Sequence, residues 1–158
     1  MMEKLKEQIQ SIVDIYKSGN LLEAEFLTGQ LINNNPKVVF LYNLLGLILA
    51  EQKKDDQAMK CYEKGIDIDP NYGMIYNNIG LLFYKQKTTD NIKKAENFYK
   101  KAISLDKRIP EPHNNLGNLY DYLDKIAALT IPNAIELKLP TATQRACVEL
   151  LSFKVYNL

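Results

Sequence analysis

Tyr42-Asn43-Leu44-Leu45-Gly46-Leu47 recurs as Tyr76-Asn77-Asn78-Ile79-Gly80-Leu81, and again as His113-Asn114-Asn115-Leu116-Gly117-Asn118. Gly46 to Gly80 is 34 residues and Gly80 to Gly117 is 37. A second block recurs as well. Ala58-Met59-Lys60-Cys61-Tyr62-Glu63-Lys64-Gly65-Ile66 returns 37 residues later as Ala95-Glu96-Asn97-Phe98-Tyr99-Lys100-Lys101-Ala102-Ile103. The three extra residues therefore fall between Phe83 and Ala95, around the polar run Lys87-Thr88-Thr89-Asp90, and are expected in a loop. A period of this length, made of two unlike blocks, indicates a chain of stacked supersecondary units.

Each block reads as a helix. Tyr42, Leu45, Leu49 and Tyr76, Ile79, Phe83 are three and four apart, which aligns one helical face. Ala58, Tyr62, Gly65/Ile66 and Ala95, Tyr99, Ala102/Ile103 do the same in the second helix. Small residues at Gly46, Gly80, Gly117, Ala58, Ala95 and Ala102 let two antiparallel helices approach, and a larger side chain there would overpack by roughly 1–3 kcal/mol. Pro70 and Pro110 punctuate the helical segments. No run alternates with period two over a strand length, so the class is all-α.

These residues resemble the tetratricopeptide repeat family, whose signature sets aromatics and Leu-Gly on one helix and Ala, an aromatic, a small residue and Pro on the next. Residues 39–72 match through Tyr42, Leu45, Gly46, Leu49, Ala58, Tyr62, Gly65 and Pro70. Residues 73–109 match through Tyr76, Ile79, Gly80, Phe83, Ala95, Tyr99 and Ala102, with Lys107 where the closing Pro belongs. A partial repeat over 110–140 opens with His113, Leu116, Gly117 and Tyr120. Residues 5–36 form a degenerate repeat: Gly19, Ala24, Leu31 and Pro36 fit, while Gln8, Ser11 and Ile12 depart. The resemblance implies a single domain over 1–158, a right-handed α-solenoid of antiparallel helix pairs. Past Tyr120 the pattern fails, because Leu129 and Asn133 replace a small residue and an aromatic. Residues 141–158 are expected to supply a capping helix, with Ala142, Ala146, Cys147, Leu150, Leu151 and Phe153 apolar, over the last open face of the array.

Composition limits the chemistry. The 158 residues are 46% hydrophobic and 25% charged, with a net charge of +1, which excludes disorder and gives no electrostatic reason to expect nucleic acid or an anionic membrane. Of the 20 basic residues only Arg108 and Arg145 are arginine, the side chain that reads phosphates and bases best. Two cysteines and one histidine do not make a disulfide framework or a zinc cluster, so no metal or cofactor is expected. His113 stands at an aromatic packing position, and Cys61 and Cys147 read as small buried hydrophobes. No catalytic constellation is present. The Met1–Gln8 stretch has charge but no apolar core behind it, and Val38 to Ala50 is too short to span a bilayer. A cytoplasmic location is therefore expected. Abundant Lys, Asn and Ile with scarce Arg, as AT-rich coding favours, fit a bacterial source.

A stack of rotated helix pairs leaves an extended concave face, and the resemblance implies that the first helices line it. The expected groove residues are Asn43 and Leu47; Met74, Asn77, Asn78, Leu81, Tyr84 and Lys85; and Asn114, Asn115, Asn118 and Tyr122. Glu111 and Asp121 flank them, and Gln10, Val13, Tyr16 and Lys17 extend the row upstream. A carboxamide can pair with any peptide backbone, and tyrosine adds apolar area with a polar tip. Asn78 and Asn115 resemble rungs of the asparagine ladder with which some family members hold extended peptides, and bridging between helices is the alternative reading. A carboxylate clamp is not expected, since Leu47, Met74, Glu111 and Asn115 stand where it needs Asn or a basic residue. The expected function is a non-catalytic scaffold that binds a protein or extended peptide. Two alternatives stay open: a substrate-recruiting piece of a longer glycosyltransferase, sulfotransferase or oxygenase, and self-association through the C-terminal helix.

Overall fold

The structure, a computed structural model, describes residues 2–130. The expected capping helix, and the part of the 110–140 repeat past Thr130, lie outside the described residues. Among the described residues seven helices follow in order: α1 (Met2–Lys17), α2 (Leu21–Asn34), α3 (Val39–Glu51), α4 (Asp55–Ile68), α5 (Gly73–Gln86), α6 (Thr89–Leu105) and α7 (Pro110–Thr130). No strand occurs among the described residues. The links are two to four residues long, so helices that adjoin in sequence pack side by side and antiparallel.

The link inside each pair needs one residue in the left-handed region. Gly19 (φ 85°), Lys53 (φ 61°) and Lys87 (φ 57°) supply it, each 34 residues after the last. Glycine does this without strain, whereas the lysines adopt a conformation that costs an L-residue about 1 kcal/mol or more. The link between pairs is also built alike each time. Asp69 accepts the Asn71 amide and Asp106 the Arg108 amide, both at 3.0 Å. Tyr42 Oη then donates to the Pro36 carbonyl (3.1 Å) and Tyr76 Oη to the Pro70 carbonyl (2.9 Å). His113 Nε2 lies 3.1 Å from the Lys107 carbonyl. A carbonyl can only accept, so Nε2 carries the proton and His113 does the tyrosine's work. Lys107 is tolerated in the proline position because the bond uses its carbonyl, which every residue has.

The three inserted residues do not lengthen a loop. α6 has 17 residues where α4 has 14, so the insertion extends α6 at its start by most of a turn. Thr88 caps that turn by accepting the Asn91 amide at 3.3 Å, and Asp90 sits in the first turn. Polar residues that favour turns also favour helix N-termini, and here the second role prevails.

Packing is serial. One buried cluster joins α1, α2 and α3 through Ile12, Ala24, Leu31, Leu41, Leu44 and Ile48. The next joins α3, α4 and α5 around Leu49, Ala58, Tyr62, Ile75 and Ile79, and a third joins α6 and α7 through Ile92, Ala95, Tyr99 and Leu119. The signature glycines explain the close approach within pairs. A Cβ on Gly46 would overlap the Tyr62 ring, and one on Gly80 would lie 2.6 Å from Tyr99 Cε1. Phe98 stacks on Phe83 (5.6 Å between centroids) and on Tyr76 (6.5 Å), locking α6 to α5.

The degenerate repeat keeps this volume by exchanging it. Ile12 stands 34 residues before Gly46 and Thr28 stands 34 before Tyr62, so bulk moves from the second helix to the first. Ile12 and Thr28 are both buried. The Thr28 hydroxyl, which has no water to meet, donates back to the Ala24 carbonyl at 2.6 Å.

Candidate functional site

α3 touches α5 and α5 touches α7, whereas the second helices α2, α4 and α6 make at most marginal contact with one another. The array converges on the first-helix side and splays on the other, so the first helices line the inner surface. Each expected groove residue can be placed on that row. Asn43, Asn77 and Asn78 are buried, at 7%, 2% and 6% exposure. Leu47, Met74, Leu81, Tyr84, Asn115 and Tyr122 are half-buried, and Lys85, Asn114 and Asn118 are exposed.

The asparagines are joined in a chain across three repeats. Asn115 Nδ2 donates to Asn77 Oδ1 at 2.8 Å, Asn77 Nδ2 to Asn78 Oδ1 at 3.2 Å, and Asn78 Nδ2 to Asn43 Oδ1 at 2.9 Å. Each carboxamide spends a donor or an acceptor on its neighbour. Two ends are left over: the Asn43 amino group and the Asn115 carbonyl oxygen. Leu44 occupies the place of Asn78 in the preceding repeat and is buried in the α1–α3 cluster, so the chain turns aside to Asn43. The buried members act as bridges between helices, and the exposed carboxamides of the row are those of Asn114 and Asn118.

A second feature was not legible in the sequence. Tyr84 on α5 and Tyr122 on α7 meet edge to face at 6.0 Å. The Lys87 ammonium lies 3.1 Å from the Tyr84 ring centroid and 4.2 Å from that of Tyr122. The left-handed backbone of Lys87 turns its side chain back over α5, and the cation–π contact offsets the strain. Tyr84 Oη also donates to the Asn118 carbonyl at 3.4 Å. Lys85, the residue after Tyr84, faces Glu51 of α3 at 3.8 Å. Only the register of α5 against α7 brings these groups together, and no local motif announces it.

Electrostatics elsewhere are structural. Glu25 of α2 accepts Lys54 Nζ at 2.8 Å and Gln52 Nε2 at 2.7 Å, tying α2 to the α3–α4 link. The Lys54 hydrogen bond, aided by Gln52, holds its carboxyl below the usual glutamate range. Burial pushes the Tyr62 and Tyr99 hydroxyls and the Cys61 thiol up, which keeps all three neutral and unreactive. Among the described residues no group of three or more His, Cys, Asp or Glu is placed to hold a metal ion, and no helix is long and apolar enough to cross a membrane.

A solenoid of helix pairs with a lined inner groove defines a class of repeat scaffold, and comparison with known proteins says which. Residues 41–87 match a TPR repeat model and residues 75–108 a tetratricopeptide repeat model. Residues 41–108 thus carry tetratricopeptide repeats. It is 32% identical over 88 residues to the uncharacterised protein ycf37 of Pyropia yezoensis, across 56% of this chain and 48% of that one. The chain thus spans about half the length of the curated relative it matches.

Solved structures share the fold at low identity. The first TPR of Spaghetti (RPAP3), bound to the HSP90 peptide SRMEEVD, aligns with a TM-score of 0.64 at 16% identity, over 77% of this chain and 94% of that chain. The Arabidopsis OM64 TPR domain aligns at 0.62 and 18%, over 75% and 95%. The Sgt2 TPR domain of Aspergillus fumigatus aligns at 0.66 and 14%, over 78% and 81%. The architecture is an all-α tetratricopeptide superhelix.

Proposed function

We propose that the chain is a non-catalytic adaptor that holds an extended peptide segment of a partner protein in the groove lined by α3, α5 and α7. The observation that carries this reading is the row of Asn and Tyr side chains along those three helices, fixed in register by the carboxamide chain. Asn114 and Asn118 would pair with peptide backbone, Leu47, Met74 and Leu81 would receive apolar side chains, and the Tyr84–Tyr122 pair with Lys87 would close one end. Asn77 and Asn78 would act through position, by holding α5 between α3 and α7. The fold of a domain bound to SRMEEVD supports peptide binding in general. The residues here disfavour that particular peptide. Asn78 is committed to Asn43, and Leu47, Met74 and Glu111 offer an acidic C-terminus no positive charge.

Selection of random peptides on the immobilised chain, followed by calorimetry of the winners, tests the reading. Asn114→Ala and Tyr84→Ala should each weaken a selected peptide about tenfold, with Lys93→Ala on α6 unchanged. Labelled SRMEEVD should show no saturable binding. Selected peptides whose affinity ignores the groove substitutions would remove the groove from the function. The reading includes a cytoplasmic location, which fractionation of cells with a tagged copy would check. It also assigns residues 141–158 to the face of α7 that carries Gly117. There a Cβ would meet nothing within 4 Å among the described residues, in contrast to Gly46 and Gly80.

A further inference from the structure

Among the described residues, Leu22 and Phe26 are the large apolar side chains that stand furthest into solvent, at 72% and 63% exposure. They sit one turn apart on α2 and form one patch. The patch lies on the splayed second-helix side, where the groove reading makes no use of it. Phe26 borders a wide-mouthed surface depression of about 550 Å³ between α2 and α4. Leu45, Leu49 and Cys61 line it from α3 and α4, and Lys60 stands on its rim. Gly29 keeps the α2 wall low, since a Cβ there would meet nothing within 4 Å. Glu25, Gln30, Asn33 and Gln57 complete the lining, so an aromatic knob and a depression with an apolar floor and polar walls lie side by side on one surface.

We infer that this face pairs with the same face of a second copy of the chain. In a twofold contact the same patch meets itself, so a surface that carries both a knob and a matching hole is self-complementary. With α2 running antiparallel to the other copy's α2, each Phe26 enters the other copy's depression beside Gly29. A partner of another sequence would need only the knob or only the hole. The charges agree with the twofold. Exposed Glu23 lies one turn before Phe26, and Lys60, with Lys64 one turn on, edges the opposite wall. The rotation that seats Phe26 carries Glu23 toward the other copy's Lys60. The patch is small, which makes the dimer reversible and leaves the groove of each copy open on the far side.

Sedimentation equilibrium of the full 158-residue chain over a wide concentration series tests this pairing. A reversible monomer–dimer equilibrium is expected, weakened by about tenfold or more in Phe26→Lys and in Gly29→Lys. Gly29→Lys fills space that nothing occupies and improves helix propensity, so its melting temperature should equal or exceed that of the parent and show that the fold is kept. A chain that stays monomeric at the highest concentration overturns the inference. So does a dimer that both substitutions leave intact, because another surface would then hold it. The groove substitutions Asn114→Ala and Tyr84→Ala should leave the dimer unchanged, which separates this result from the fate of the peptide-binding reading.

Discussion

The Asn78 carboxamide is 6% exposed and bonded on both sides, to Asn77 and to Asn43. Removing it strands the Asn43 carbonyl oxygen and one Asn77 donor hydrogen in a site with little water. Asn78→Ala should therefore cost about 1–3 kcal/mol in urea denaturation, whereas Asn114→Ala, exposed on α7, should fall within about 0.5 kcal/mol of the parent. Equal small effects would show that the chain of carboxamides contributes nothing to stability. This contrast bears on how the sequence is read. Adjacent asparagines such as Asn77-Asn78 and Asn114-Asn115 look alike as letters. One pair is buried and the other is split between solvent and a bridge, because among the described residues the helices packed on α7 are α5 and α6, on one side of it.

Helices are matched to each other by volume and by a few polar ties. The exchange of Gly46 and Tyr62 for Ile12 and Thr28 predicts a specific coupling between α1 and α2. Ile12→Gly alone should cost at least about 3 kcal/mol, through lost burial and a glycine within a helix. Adding Thr28→Tyr should recover more than about 1 kcal/mol of that loss, and a double-mutant cycle measures the coupling. The tie from Glu25 to the α3–α4 link carries a pH signature. Its carboxyl titrates below its ordinary 4.5 in the folded chain, so its stabilisation is complete above that value and is lost as pH falls through the lowered one. The stability gap between the parent and Glu25→Gln should hold steady from neutral pH to about 5 and close as pH falls below the usual glutamate range. After solvent screening that gap is under about 1 kcal/mol. A gap that widens on acidification would contradict the assignment.

For the molecule as a whole, the decisive place is the last open face. Gly46 and Gly80 are each covered by a tyrosine from the following helix, and Gly117 has no such cover among the described residues. If residues 141–158 close that face as proposed, Gly117→Met in the full chain should overpack and destabilise it by about 1–3 kcal/mol. An open face would give the opposite sign, since replacing glycine within a helix gains up to about 1 kcal/mol. Thermal or urea denaturation reads the sign directly.

The sequence by itself determined the repeat, the helix pairing and the glycines that let the helices touch. These depend on spacing along one chain and on the size of single residues, both written in the letters. It also set His113 at the aromatic position of the signature, where the exposed ring serves by its contact with the Lys107 carbonyl and not by the expected packing. Tertiary structure alone decided that the insertion lengthens α6, that Lys87 reaches back over Tyr84 and Tyr122, and that Asn43, Asn77, Asn78 and Asn115 bond to one another. Those outcomes depend on which helix lies next to which, and at what height. A side chain's partner across a gap is set by the packing of the whole array, which no local run of residues encodes.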